Sequence, residues 1–342
     1  MGQRVTEEPS ERVTDESNER MTDEPLEQVT SEPDGRETDV PEDGVKRTPV
    51  TRSGFVALAG RPNVGKSTLV NVIVGGKVAI VSDRPQTTRR AIRGVRTDPG
   101  SQLVLVDLPG VQRPRDALTE RMAGRVREEL EGSDAALLVL NGEQGVGPGD
   151  RYIAQALSEA KAPVAIAVNK VDRLNRAATV AMLSATAQLE VGEEIFPISA
   201  RTGKGVEALV EYLAALMPPG PFMFPQGALS DQPLPVVLAE LVREAAIRRT
   251  FQELPHALET IVEEVERPRD GLIRVRALIW VESESQKGIV VGAGGRMIKA
   301  IGTAARKEIE RELRCQVHLD LSVRVRRDWR GDEGLLDRLG IT

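Results

Sequence analysis

Cysteine is almost missing from this chain: one residue, Cys315, in 342. A lone thiol closes no internal disulfide, so a disulfide-stapled scaffold is excluded and a reducing compartment fits. Packing as a small apolar group is the role expected for it. Histidine is nearly as scarce. His256 and His318 stand far apart, with no cysteine or carboxylate partner at metal-ligand spacing, which argues against a zinc-type centre and leaves them as structural or surface residues. Aromatics make up 3% of the sequence against 40% hydrophobic residues in all, so the cores must be built from Ala, Val, Leu and Ile. The two tryptophans, Trp280 and Trp329, are candidates for stacking on bases or for ordinary packing. No apolar run approaches the length of a membrane span, and the N-terminus lacks the apolar core of a secretory signal. A cytoplasmic location is the expectation.

What is present is unevenly distributed. Residues 1–45 repeat with a period of eight, from Arg4-Val5-Thr6-Glu7 through Arg12-Val13-Thr14-Asp15 and Arg20-Met21-Thr22-Asp23 to Gln28-Val29-Thr30-Ser31. They hold fifteen acidic residues and four arginines. With so few large apolar side chains, such a segment cannot offset its ordering entropy, and a disordered acidic tail over 1–52 is expected. One role open to it is electrostatic competition with RNA for a basic face. The net charge of −6 therefore misleads, because setting the tail aside leaves 42 basic against 37 acidic residues.

Beyond the tail the length suggests two domains. From Ser53 to Met217, short β-branched runs alternate with amphipathic stretches, the pattern of an α/β domain with a mostly parallel sheet covered by helices on both faces. Strands are expected at Phe55–Ala59, Leu103–Val106, Ala135–Leu140, Val164–Asn169 and Ile195–Ile198, with Ala91–Thr97 as an antiparallel edge. Helices are expected at Lys66–Val74, Asp116–Glu131, Asp150–Ala160, Arg176–Glu190 and Val206–Leu216. In the second of these, Leu118, Met122, Val126 and Leu130 share one face and should pack on the sheet. Prolines from Pro218 to Pro235 mark a linker, 218–233. A small α+β module, 234–331, follows: a helix over Leu234–Arg249, strands Leu258–Glu266 and Leu272–Glu282 joined through Pro268 to Gly271, a long basic helix Met297–Leu313, and a strand Gln316–Arg326. Residues 332–342 are read as a C-terminal tail.

The chemistry-bearing motifs fall at the carboxyl ends of the strands, where ligands of such sheets bind. Gly60-Arg61-Pro62-Asn63-Val64-Gly65-Lys66-Ser67 fits G-x-x-x-x-G-K-[ST] between a strand and a helix. Its backbone N–H groups, with Asn63, Val64, Gly65 and Thr68 shaping the cradle, face a phosphate; Lys66 reaches the outer phosphates and Ser67 ligates Mg2+. Asp107-Leu108-Pro109-Gly110 supplies a carboxylate to hold Mg2+ through water and a glycine N–H for a terminal phosphate. Asn169-Lys170-Val171-Asp172 offers a carboxylate that accepts from the N1–H and 2-amino groups of guanine, which adenine does not supply; Asn169 ties the loop and Lys170 lies over the base. Ser199-Ala200-Arg201 presents a backbone N–H to the guanine carbonyl. Within Pro85-Gln86-Thr87-Thr88-Arg89, Thr88 is preferred over Thr87 as a Mg2+ ligand engaged only when a third phosphate is present.

In the second module Gln286 to Lys299 contains G-x-x-G at 292–295 between helical stretches, the turn that clamps a single-stranded RNA backbone against protein backbone in a KH domain. Between Ser285 and Arg330 there are eleven basic and five acidic residues. The RNA-facing candidates are Lys287, Gly292, Ala293, Gly294, Gly295, Arg296, Lys299 and Arg306. Position 293 is alanine where the turn usually carries a basic residue.

These motifs, together with Ile301 to Glu310 and Asp328-Trp329-Arg330, resemble the Era family of GTPases over everything but the acidic tail. The resemblance implies a GTPase domain over 53–217 followed by a type II KH domain, GTP and GDP with Mg2+ as ligands, and slow hydrolysis drawing on Lys66, Thr88, Gly110 and Asn63. It implies binding to single-stranded 16S ribosomal RNA near its 3' end during small-subunit assembly, by a monomer in the cytoplasm, with peripheral association at the inner face of the membrane as a further expectation. Val111 stands where many GTPases place the water-orienting glutamine, and Asn63 matches a position that helps bind a K+ ion in related GTPases. Two rivals stay open: a constitutive RNA-binding assembly protein whose nucleotide site is only structural, and a GTPase acting on another RNA or at a membrane surface.

Overall fold

The computed structural model describes residues 51–82, 87–110, 117–159, 162–339 and 341. The expected acidic tail, Pro85, Gln86 and Val111 lie outside the described residues. Strand β1 (Arg52–Ala59) sits in the middle of a six-stranded sheet and runs into helix α1 (Lys66–Val74). Then come β2 (Ile92–Asp98), β3 (Ser101–Asp107), α2 (Ala117–Glu131), β4 (Ala135–Asn141), α3 (Pro148–Ser158), β5 (Val164–Asn169), α4 (Arg176–Ala187), β6 (Glu194–Pro197) and α5 (Val206–Leu216). The order is β2-β3-β1-β4-β5-β6, with β2 antiparallel at one edge and all other pairs parallel. The central strands read as unbroken apolar runs because both of their faces are covered. Leu69, Ile73, Leu209 and Leu213 of α1 and α5 fill one face, while Val126, Leu130, Ile153, Leu157 and Met182 of α2, α3 and α4 fill the other.

Helix α3 begins two residues before the expected start. Pro148 needs no N–H partner in the first turn, and Asp150 accepts from the Gly147 N–H at 2.8 Å. Helix α4 stops at Ala187, short of Glu190, which takes a positive φ of 51°. The stretch from 218 to 233 is pinned along the sheet edge: Gln102 Oε1 accepts from the Met223 and Phe224 N–H groups at 2.7 and 2.9 Å, and Ser230 Oγ donates to the Arg93 carbonyl at 2.6 Å.

Helices α6 (Leu234–Ile247) and α7 (Leu254–Ala257) lead into the second sheet, formed by β7 (Glu259–Arg269), β8 (Leu272–Val281) and β9 (Gln316–Val325). β7 and β8 pair antiparallel up to Arg269 and Leu272, leaving Asp270-Gly271 as a two-residue turn with Gly271 at φ 74°. The hairpin is thus tighter than the Pro268–Gly271 connection expected. β8 and β9 run parallel, so the chain must cross over between them, and it does so through α8 (Glu284–Val291) and α9 (Arg296–Leu313). This is the type II KH arrangement. Its core is Leu238, Val242, Ile279, Val290, Ile301 and Ile309 with their neighbours.

Two expectations meet at the C-terminus. Residues after Gly331 form α10 (Glu333–Arg338), capped by the Asp332 side chain on the Leu335 N–H at 3.1 Å. Leu335, Leu336, Leu339 and Ile341 are buried against Trp329 and against Leu118 and Met122 of α2. So the apolar stripe of α2 is divided: Val126 and Leu130 lie on the sheet as expected, whereas Leu118 and Met122 are covered by the C-terminal segment instead. An amphipathic stripe fixes which residues are buried but not what buries them, so one helix serves two apolar clusters.

Candidate nucleotide site and nucleic-acid interface

Helix α1 opens at Gly65, which takes a left-handed φ of 103° and offers no side-chain cap. A Cβ there would fall 2.3 Å from Asn169 Nδ2, so only glycine admits the close approach. The uncapped N–H groups of the first turn, with the positive end of the helix behind them, form an anion site. Lys66 is buried, and its Nζ donates to the carbonyls of Gly60 at 3.0 Å and Arg61 at 3.2 Å. Two of its three donors are thereby used on the loop, leaving the third for a ligand. Burial lowers the ammonium to about 8, with Asp107 pulling it back up.

Around Ser67 the structure brings together the three residues expected to hold a metal. Ser67 Oγ donates to Asp107 Oδ2 at 2.6 Å, Thr88 Oγ1 lies 3.1 Å from Ser67 Oγ, and Thr88 Oγ1 donates to Asp107 Oδ2 at 3.3 Å. Asp107 is fully buried; burial raises its pKa against the opposing pull of Lys66, Ser67 and Thr88. Its Oδ1 is buried with no hydrogen-bond partner. An orphaned carboxylate oxygen beside two hydroxyls is a hard-oxygen donor set of the kind Mg2+ takes. Gly110 closes the same cleft, against Pro62.

The base-side motifs are held by one amide. Asn169 Nδ2 donates to the Val64 carbonyl at 2.9 Å, and its Oδ1 accepts from the N–H groups of Lys170 at 2.8 Å and Ala200 at 2.9 Å. The phosphate loop and both base loops are therefore tied together. The Ala200 N–H, part of the tripeptide expected to face a guanine carbonyl, is given to Asn169 here. Lys170 Nζ donates to the Asn63 carbonyl at 2.9 Å, which stretches its stem along the loop. Asp172 accepts from Ser199 Oγ at 2.6 Å and Arg201 Nε at 3.0 Å; the Ser199 hydrogen bond leads the causes that hold its carboxyl below the ordinary range.

Several contributors were not legible in the motifs. Arg61, inside the phosphate loop, pairs with Asp150 at 2.8 Å, and Ile80, Val81 and Ser82 line the cleft without any signature of their own. Arg89, known from the sequence only as the residue after Thr88, is buried in the KH domain. Its guanidinium donates to the carbonyls of Leu258 at 2.8 Å and His256 at 2.9 Å and to Glu259 Oε2 at 2.7 Å, and lies 5.2 Å over the Trp329 ring. Trp329 is itself fully buried, with Nε1 on the Ala257 carbonyl at 2.9 Å, so it packs and does not present a face to bases.

The second site repeats the logic of the first. Gly292, Gly294 and Gly295 take φ values of 70°, 60° and 74°, and α9 opens at Gly295 with no side-chain cap. A second uncapped helix start thus faces outward beside a flat glycine turn. At Gly292 a Cβ would meet Met297 Cβ at 2.7 Å. Arg296 Nε donates to the Ala293 carbonyl at 3.2 Å, so a cation stands beside the alanine of the turn. Lys287 is on α8 and pairs with Glu284 at 3.8 Å. Lys299, Arg306 and Asp320 line a groove between α9 and β9 together with Ile298, Leu319 and Leu321. Two cations beside apolar side chains suit a single strand, whose phosphates and bases need opposite surroundings.

Two family models match the chain: "50S ribosome-binding GTPase" over residues 55–170 and "KH domain" over residues 253–330. Among curated proteins, GTPase Era of Mycobacterium tuberculosis (strain ATCC 25618 / H37Rv) is 46% identical over 294 residues, covering 84% of this chain and 98% of the relative. GTPase Era of Mycobacterium avium (strain 104) is 46% identical over 295 residues with the same coverage. Among solved structures, Era in complex with MgGDPNP and nucleotides 1506–1542 of 16S ribosomal RNA matches with a TM-score of 0.82 at 32% identity, covering 85% of this chain and 99% of that one. A variant of Aquifex aeolicus Era bound to GDP·AlF4− matches with a TM-score of 0.81 at 32% identity, over 85% and 100% of the two chains.

Proposed function

This chain belongs to the Era family of GTPases, and we propose on that footing that it is a GTP-hydrolysing switch which presents its KH domain to the 3' end of 16S ribosomal RNA during assembly of the small ribosomal subunit. The observation that carries the reading is the stretch Thr88-Arg89. Its first residue has its hydroxyl 3.1 Å from Ser67, in the nucleotide cleft, and its second is buried in the KH domain. One dipeptide therefore feels both the nucleotide and the RNA-binding module.

The residues divide the work as follows. The α1 N-terminus and the remaining Lys66 donor bind and orient the phosphates, and the Gly110 N–H meets the outermost one. Ser67 and Thr88 would hold Mg2+, with Asp107 behind them, and the ion would supply positive charge to offset that of the outer phosphates. Asp172 selects guanine by accepting from its N1–H and amino group, and Lys170 covers the base. With valine following Gly110, no side chain at that position orients water, so charge stabilisation carries hydrolysis. Asn63, exposed at φ 63° on the loop, would help hold K+ there. On the RNA side the turn Gly292–Gly295 lies against the backbone, with Lys287, Arg296, Lys299 and Arg306 neutralising phosphates.

GTP hydrolysis by the full chain beside Lys66→Ala is the direct test. Turnover well above the variant, faster in K+ than in Na+, is expected. Turnover equal to the variant, with RNA still captured, would instead make this a constitutive RNA-binding protein with a structural nucleotide site. Crosslinking in cells followed by sequencing of the bound RNA should return the 16S 3' end; a different RNA would change the partner and leave the enzyme.

A further inference from the structure

We infer that Arg243, on the first helix of the KH domain, is a positioning residue for the GTPase site, holding Thr88 toward Ser67 and Asp107 through the carbonyl of Thr87. The inference rests on the switch proposed above and assigns the coupling to one side chain. Arg243 is completely buried. Its Nη2 donates to the Thr87 carbonyl and to Glu240 Oε2, the latter at 2.5 Å, and its Nε donates to Glu240 Oε1 at 3.3 Å. Glu259 Oε1 stands 3.8 Å from Nε.

The geometry leaves the threonine little freedom. The Thr87 carbonyl and the Thr88 N–H belong to one planar peptide unit, so fixing the oxygen fixes the start of Thr88. On its other side Arg89 is anchored by the carbonyls of Leu258 and His256 and by Glu259. Thr88 thus hangs between two guanidinium anchors set in the KH domain, with its hydroxyl aimed at Ser67 and Asp107. Glu240 in turn accepts from Arg90 at 2.5 Å, so the carboxylate orienting Arg243 is shared with the residue that leaves the loop. A planar guanidinium suits this duty: Nε and Nη2 take the two Glu240 oxygens side by side, which fixes the direction in which Nη2 meets the Thr87 carbonyl, whereas an ammonium on a flexible stem has no such fixed fork. If Arg243 served only to neutralise Glu240 and Glu259, the Thr87 carbonyl would need no place in its coordination.

Two variants separate positioning from charge balance. Arg243→Lys keeps the charge and loses the fork. Arg243→Met combined with Glu240→Gln removes both charges, so that no buried carboxylate is left unpaired by the first change. The preference for GTP over GDP is measured by competition, with Mg2+ and with EDTA, and amide hydrogen exchange is followed at Thr88 to Arg90. In Mg2+ the preference is expected to fall about tenfold, the scale of one charge-assisted hydrogen bond, and exchange at those amides to quicken. In EDTA, where Thr88 has no ion to meet, the preference should match wild type. Folded variants that keep wild-type preference and exchange would overturn the assignment.

The wild type supplies a check that needs no folded variant: the Arg243 guanidinium NMR signal should shift when GDP is replaced by a non-hydrolysable GTP analogue with Mg2+, and an unmoved signal would equally overturn it. A wild-type protein with no Mg2+-dependent preference for GTP would sink the switch itself, a result distinguishable from failure of the Arg243 assignment alone.

Discussion

Glu259 has no exposed surface and lies among three arginines. Burial by itself pushes its carboxyl up, but Arg90, Arg89 and Arg243, with the Thr260 N–H, outweigh that and hold it down to about 2. Against an ordinary value of 4.5 the depression corresponds to about 3 kcal/mol of stability. A depressed carboxyl contributes above its unfolded pKa and loses the contribution as pH falls through its folded one. The window therefore runs from about 4.5 down to about 2. Denaturant unfolding at pH 7, 4 and 2.5 should show wild type well above Glu259→Gln at pH 7, with the gap closing through that window; a gap constant with pH would mean the arginines do not hold the charge. Nothing in the sequence marks this residue. Gly60 to Ser67 is legible because its eight residues act as one contiguous loop. Glu259 gains its meaning from Arg243 and, above all, from Arg89 and Arg90 about 170 positions away, and no local pattern records such a pairing.

At the scale of elements the same limit appears in α2. Its apolar stripe told correctly which face is buried, but periodicity never says what covers a face, and half of this one lies under α10 and the residues beside it. The C-terminal segment escaped notice because a helix of six residues has too few turns to show a period. Strands and helices of the sheet were nearly all legible, since each is buried or amphipathic along most of its length; a proline start moved one boundary of α3 and a left-handed residue one of α4, while β1 and β3 begin earlier than expected, at Arg52 and Ser101. Leu336 is fully buried between Trp329 and α2. Leu336→Ala should cost about 2–5 kcal/mol if the whole chain unfolds as one unit. A more specific result is expected from hydrogen exchange: because Arg121 of α2 also bonds Asp337 and the Ile341 carbonyl, protection should fall in the first turns of α2 and stay unchanged in its last turns, which rest on the sheet. Uniform loss along α2 would show that the segment supports the helix as a whole and does not clamp its leading end.

Across the whole molecule, nucleotide and RNA sites lie on different domains, so any influence between them must be reciprocal in free energy. The contacts available to carry it are of two kinds. Surface charges on α9 and the turn at Gly292 face solvent, and RNA affinity built on them should fall steeply as salt displaces the released counterions. The cluster of Arg89, Arg243, Glu240 and Glu259 is buried, with Arg90 half-buried beside it, and screening by salt is weak there. The two therefore separate in a salt titration. If the GTP-analogue form binds the RNA tighter than the GDP form by about tenfold, within the usual range of coupling, then RNA must raise the preference for the GTP analogue by the same factor. Raising the salt should weaken RNA binding to both forms together while leaving that factor in place. Affinities of the two nucleotide forms for a 16S 3'-end RNA, measured from low to high salt, decide the matter. Parallel lines on a plot of log affinity against log salt place the coupling in the buried cluster. Lines that converge as salt rises would place it in surface charge between the domains, and the buried arginines would then be holding the fold together without transmitting anything.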